Sequence, residues 1–345
     1  MKKFVLSILV LICALRISAQ DAVFSQFYAS ALYLNPALAG EEKDLMFSSN
    51  YRSQWQSIVV PYVTSQMSAI YPLYAEDMDD QHVGGIGLSM FNDRAGEGLF
   101  KTFGFNANAA YNLPLTRDGV HDLSFGLQVG LIQKNIDYTN LEWGEQYNPF
   151  IGFDATVSPG EDQFGGGILY PDIGAGIIYY YHGSEQYRSI RRVSGYFGAA
   201  VYHINQPNES LVRGMESRLP RLYKVHGGLE YVINSKNSIQ PAFLAMTQNG
   251  AFHMNTGMYW SHEVIDRSGG TFKNTSLILG GWYRYGDAFT ILAGMGNERL
   301  SLGISYDYNT SSLRHATRGR GGYEISLTIR RVKDHGPRRI GTPRF

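Results

Sequence analysis

The chain has 345 residues, equal numbers of basic and acidic side chains for a formal net charge of zero, and a mean hydropathy of −0.20. Charge balance argues against a nucleic-acid partner, which calls for a basic surface. Beyond the first residues no run approaches the roughly 18 apolar positions of a membrane helix, and the single cysteine, Cys13, falls in that first stretch, leaving the rest without disulfide or thiol chemistry.

The chain opens on Lys2 and Lys3, followed by an apolar run from Phe4 to Leu15. This pattern reads as a secretory signal over residues 1–19, cleaved after Ala19. Ile12 before Cys13 is too large for lipoprotein processing, so the expectation is an exported chain without a lipid anchor. Residues 20–43 form a distinct segment with Phe24, Phe27, Tyr28, Leu32 and Leu34, too apolar for a solvated tail. Asn35-Pro36 interrupts local structure there, because proline lacks an N–H donor and restricts its predecessor.

From residue 44 to 331 the chain alternates. Leu300-Ser301-Leu302-Gly303-Ile304-Ser305-Tyr306-Asp307-Tyr308 is one case, and Leu123-Ser124-Phe125-Gly126-Leu127-Gln128-Val129-Gly130-Leu131 another. A strand sends successive side chains to opposite faces, so each segment has one apolar and one polar or small face. About fourteen such segments are predicted, near 44–52, 63–75, 83–92, 99–112, 122–134, 171–181, 194–204, 222–233, 238–248, 251–260, 274–284, 288–295, 299–308 and 321–331. The fold class is therefore all-β: a transmembrane outer-membrane β-barrel of about 14 antiparallel strands, lipid outside and a polar lumen inside.

Connections support this. With the first strand rising from the periplasm, the long ones (53–62, 135–170, 205–221, 309–320) fall outside, whereas short links such as 234–237 and 296–298 fall inside. The 249–250 and 261–273 connections fit less well. Tyr and Trp recur near strand ends, among them Tyr111, Tyr180, Tyr202, Tyr259, Trp260, Trp282 and Tyr306, as in interfacial girdles. Residues 332–345 make a basic tail.

No constellation carries catalytic or metal chemistry, so no enzyme activity, cofactor or metal is expected. The nine histidines show no His-x-x-x-His spacing, and His226 and His253 read as lumen-facing polar residues. His203 with a neighbouring serine lacks any mark of a nucleophile–base pair. Gly84-Gly85-Ile86-Gly87 lacks the helix and lysine of a phosphate loop, and glycine on a strand points to close packing or a bend. Arg52 and Arg94, at strand ends, either line the mouth of the pore or are solvated loop residues, the second being the expectation.

The segment Gln20-Asp21-Ala22-Val23-Phe24-Ser25-Gln26-Phe27, running into Leu34-Asn35-Pro36-Ala37-Leu38-Ala39-Gly40, closely resembles the N-terminal signature of the PorP/SprF family. Further similar motifs follow in order: Tyr51-Arg52-Ser53-Gln54-Trp55, Asn92-Asp93, Leu123 to Leu127, Gly281-Trp282-Tyr283-Arg284, Tyr306-Asp307-Tyr308 and Gly322-Tyr323-Glu324-Ile325. Ala22 stands where the family usually has proline. The resemblance implies an outer-membrane component of the type IX secretion and gliding machinery of Bacteroidetes. It would assist secretion or surface attachment of large adhesin-type cargo by protein–protein binding. Implied partners are that cargo, other secretion components and a periplasmic ring or peptidoglycan-binding protein; outer-membrane lipid would surround the barrel. A channel for small or hydrophobic solutes is the alternative. The candidate contact residues are Phe24, Gln26, Phe27, Asn35 and Pro36, expected to fold against the periplasmic mouth or inside the lumen and partly close it. Trp143, Tyr147 and Phe150 of the long 135–170 loop, with Phe153, are the candidates for an outer contact.

Overall fold

A computed structural model describes residues 21–57, 60–75, 81–96, 100–137, 141–154, 156–158, 166–183, 193–234, 236–264 and 275–332. The expected signal segment and all but the first residue of the basic tail lie outside these. Fourteen strands close into a barrel: β1 (Leu45–Gln54), β2 (Tyr62–Ala75), β3 (Gln81–Ala95), β4 (Phe100–Pro114), β5 (His121–Asn135), β8 (Gly167–Tyr181), β9 (Val193–Tyr202), β10 (Leu222–Asn234), β11 (Asn237–Gln248), β12 (Ala251–Val264), β13 (Thr275–Arg284), β14 (Ala288–Gly296), β15 (Leu300–Asn309) and β16 (Arg320–Arg331). The two-residue strands β6 (Tyr147–Asn148) and β7 (Gly152–Phe153) pair in the long connection between β5 and β8. Every barrel pair is antiparallel, and β1 meets β16 from Leu45 opposite Arg331 to Gln54 opposite Gly322. Closure leaves the sheet without an edge, so every strand finds two neighbours, the condition for crossing lipid.

The alternation in the sequence is the alternation of the wall. On β5, Leu127, Val129 and Leu131 are 52–65% exposed on the outside, while Gln128 faces inward and is buried. On β15, Leu302, Ile304, Tyr306 and Tyr308 point out, and Ser301, Ser305, Asp307 and Asn309 point in. So continuous an apolar exterior is unlike a soluble surface and suits hydrocarbon. The predicted strands all occur, most extended by a few residues; β12 runs on to Val264, so the connection after it is 265–274.

The interior differs from a simple polar lumen. Tyr180, Tyr202, Tyr259 and Trp282, expected among the interfacial girdles, face inward and are buried, together with Ile178, Ile278, Leu244 and Leu292. Period two explains the discrepancy, since a tyrosine one position from an outward one must point in. Tyr111, Trp260, Tyr283, Tyr306 and Tyr308 do face outward. What the inward aromatics pack against is the chain's own N-terminal segment.

Candidate functional site

Residues 21–40 lie inside the ring of strands. They run as a short 3-10 turn (Phe27–Ala29), one turn of α-helix (Ala31–Leu34) and a second 3-10 turn (Pro36–Gly40). Asn35 divides the last two. Its extended backbone ends the α-turn, its side chain accepts a hydrogen bond from Ala37 N at 2.9 Å, and Pro36 occupies the first position of the next turn, where its missing N–H costs nothing. Several backbone groups not used within these turns meet polar side chains of the wall: Asp21 N donates to Gln248 Oε1, Ser124 Oγ donates to the Ala37 carbonyl, and Tyr202 OH donates to the Tyr33 carbonyl.

Apolar side chains of the segment complete clusters on the wall. Phe27 and Leu34 pack with Leu244, Tyr259, Ile278, Trp282 and Leu292; Phe27 meets Trp282 edge to face at 5.2 Å, and Tyr28 meets Tyr259 at 4.9 Å. Leu32 and Ala39 pack with Met46 and Ile70, and Ala37 with Ile178, Tyr180 and Tyr196. Phe24 is 2% exposed and meets Tyr33 edge to face. Each large buried apolar side chain contributes about 1.5–3 kcal/mol.

Close approach at two places depends on glycine. A Cβ on Gly126 would lie 2.2 Å from Ala37 N, and one on Gly176 1.9 Å from Asn35 Oδ1. With these side chains absent, the Asn35 amide reaches the Ile177 and Ala199 carbonyls at 3.2 Å each and His226 Nε2 at 3.0 Å. Oδ1 accepts from Ala37 N, so the nitrogen faces His226 and can only donate. Gly85 and Gly87, part of the glycine run, likewise make room for Ala39 and Leu32.

A charged cluster holds the other end. Asp307 of β15 pairs with Arg52 of β1 at 2.7 Å and with Arg284 of β13, and accepts from Thr290 Oγ1 at 2.7 Å. Ser25 Oγ donates to the same carboxylate at 2.8 and 2.9 Å. Glu324 of β16 receives Ser25 N at 2.7 Å and Gln26 N at 3.1 Å. The Gln26 side chain donates to Ser305 Oγ and Glu324 O and accepts from Ser326 Oγ. Between Asp307 and Tyr308 the β15–β16 register shifts, so Asp307 pairs with Gly322 and Tyr308 with Arg320; such an irregularity re-aims neighbouring side chains. Arg52, expected as a solvated loop residue, is 2% exposed inside the barrel, because it shares the inward face of β1 with Met46, Ser48 and Asn50 and the strand continues past it to Gln54.

His203, just beyond β9, sits between carboxylates: Nε2 is 2.9 Å from Asp21 and Nδ1 2.8 Å from Asp172. Burial works against a charged imidazole, but the two carboxylates outweigh it and push His203 up to about 10. Burial likewise opposes the Asp21 carboxylate, yet the adjacent His203 holds it well below its usual range. Both ring nitrogens are engaged by acids, so His203 is a clamp on the segment and is not hydrogen-bonded to serine. Among the described residues no group of three His, Cys, Asp or Glu is placed to hold a metal.

The candidate residues thus fall into two places. Phe24, Gln26, Phe27, Asn35 and Pro36 come together in the lumen, all buried. Tyr147 and Phe150 stand out on the β5–β8 connection, Phe150 94% exposed, with Phe153 beside them; Trp143 is half-buried at the start of a 3-10 turn. The wall partners Arg284, Asp307 and Glu324 were not singled out as a site from sequence, although each lies in a motif that resembles the family.

A family model described as type IX secretion system membrane protein PorP/SprF matches residues 17–329. Among solved structures, the chain is similar to the toluene transporter TbuX of Ralstonia pickettii, at 10% identity over 87% of this chain and 93% of that one, with a TM-score of 0.47. It is also similar to a FadL homologue of Pseudomonas aeruginosa, at 10% identity over 86% and 92%, TM-score 0.47, and to BamA of Haemophilus ducreyi, at 10% over 84% and 71%, TM-score 0.38. Likenesses this distant say nothing about what the chain does. No curated protein matches it.

Proposed function

The chain belongs to the PorP/SprF family of type IX secretion system membrane proteins, and from that premise we propose that it works as a closed binding platform in the outer membrane. It assists secretion or surface attachment of adhesin-type cargo by protein–protein contact, with no catalytic step. Family membership implies association with secretion components; the cargo outside and a periplasmic ring or peptidoglycan-binding protein inside are the specific partners proposed. The observation that carries the reading is the packed, hydrogen-bonded segment in the lumen. An open solute channel needs a continuous aqueous path, whereas Phe27, Leu34 and Asn35 are almost fully buried across the barrel's interior. The segment, through Phe24, Gln26, Phe27, Asn35 and Pro36, acts as the plug, leaving loops and turns as the working surfaces. Tyr147 and Phe150, with Trp143 behind them, offer an aromatic outer contact of the kind that anchors interfaces.

Crosslinking in intact cells, followed by purification of the tagged barrel and mass spectrometry, tests this. Recovery of secretion components with a large surface protein is the expected result. Recovery of the barrel alone, under conditions where secretion complexes survive, would overturn it in favour of a channel.

A further inference from the structure

Between the N-terminal segment and the 203–221 connection lies a cavity of about 380 Å³, within the range of about 300–1,000 Å³ common for small-molecule sites. Asp21, Ala22 and Tyr33 of the segment form one side of it. The connection is drawn over the other side, where Glu209 pairs with Lys134 and Leu219 packs with Ile132 and Tyr170. Most charges on the lining have partners: His203 with Asp21 and Asp172, Lys134 with Glu209.

Two charged side chains stand apart. Lys224 of β10 donates to the Tyr33 carbonyl at 2.6 Å and lies over the rings of Tyr33 and Tyr202, at 4.2 and 4.5 Å. Among the described residues no carboxylate is within ion-pair distance of it. Asp93 of β3 accepts from Thr64 Oγ1 at 2.5 Å and likewise has no cationic partner within that distance. Around the ring β3 and β10 are separated by β4, β5, β8 and β9, so the two groups face the cavity from different walls. Two further lining groups, Tyr170 OH and Asn106 Oδ1, have no hydrogen-bond partner among the described residues, although each residue is only 4% exposed. Buried polar atoms are ordinarily satisfied, and an exception at a cavity points to something that enters it.

We propose that this cavity binds a short zwitterionic peptide, its terminal carboxylate on Lys224, its terminal ammonium on Asp93, and an apolar side chain among Tyr33, Phe91 and Tyr170. A simple anion would leave Asp93 unmatched, and a simple cation Lys224. A free amino acid bears its ammonium and carboxylate on the same Cα, whereas a peptide carries them at separate ends, matching groups that face the cavity from β3 and β10. Tyr170 OH donates to a peptide carbonyl and Asn106 Oδ1 accepts a peptide N–H. This site stands independently of the secretion role.

The test is titration calorimetry of the purified full chain in detergent micelles with the tripeptide Ala-Phe-Ala, free and with either end blocked. Free peptide is expected to bind saturably, and N-acetylation or C-amidation each to weaken binding at least about tenfold, as loss of a charge-assisted hydrogen bond does. Asp93→Asn should abolish sensitivity to N-acetylation alone, and Lys224→Met sensitivity to C-amidation alone. The blocked peptides on the unaltered protein decide the matter even if Lys224→Met loosens Tyr33. Absence of saturable binding at millimolar peptide, or equal binding of free and blocked forms, would overturn the proposal.

Discussion

Ser25 and Asp307, 282 positions apart in the chain, meet inside the barrel, the hydroxyl donating to both carboxylate oxygens. Asp307 also neutralises Arg52 and Arg284, so one side chain ties the N-terminal segment to three strands. Asp307→Ala leaves two buried guanidinium groups facing only Glu324 and the partly exposed Asp287. Breaking such a buried pair costs about 3–5 kcal/mol, against about 1.5–3 kcal/mol for the Ser25 bond to the carboxylate. Urea unfolding of the refolded barrel should therefore show a larger loss for Asp307→Ala than for Ser25→Ala. Both variants should expose residues 21–40 to protease.

The glycine notch gives a steric test. Gly126→Val places a branched side chain where Ala37 N already lies within 2.2 Å of a Cβ, so segment and side chain cannot both stay. Rapid cutting within 21–40 is expected, with the barrel's heat-resistant gel mobility retained. Gly281→Ala, whose Cβ would meet nothing nearer than 3.8 Å, should behave as wild type.

The clamp on His203 sets a pH dependence. Its pKa is raised in the folded state from 6.5 to about 10, so its contribution is complete below about pH 6.5 and is lost as pH rises through about 10. Asp21 is lowered from 3.8, so its contribution is complete above pH 3.8 and disappears only in stronger acid. Protection factors at the amides of residues 21–25, taken relative to the intrinsic base-catalysed exchange rate at each pH, should fall from pH 7 to 10.5, and His203→Asn should flatten that dependence.

Much of the barrel was legible because period two is a direct record of which face meets lipid: Leu302, Ile304 and Tyr306 announce β15 by themselves. The segment's apolar residues likewise announced that it must be covered. Its binding surface was not legible, because Arg52, Arg284, Asp307 and Glu324 lie on four strands and only closure of the sheet brings them together. A charged residue near a strand end looks the same whether it faces solvent or lumen, which is why Arg52 was misplaced. Tyr259 and Trp282 misled for a related reason: aromatic character suits both an interfacial girdle and a buried pocket.

On the outer side, Phe150→Ala and Tyr147→Ala remove rings that are 94% and 63% exposed. Such changes should alter stability by less than about 0.5 kcal/mol. If this loop is the outer contact, the double variant should lower recovery of crosslinked surface cargo severalfold while periplasmic partners are retained.

Planar-bilayer conductance of the purified full chain tests the central claim, a barrel closed by its own N-terminal segment, most directly. The unaltered protein should give no stable open-channel current, and Gly126→Val should give discrete steps. A steady open conductance from the unaltered protein, unchanged by Gly126→Val, would contradict the account.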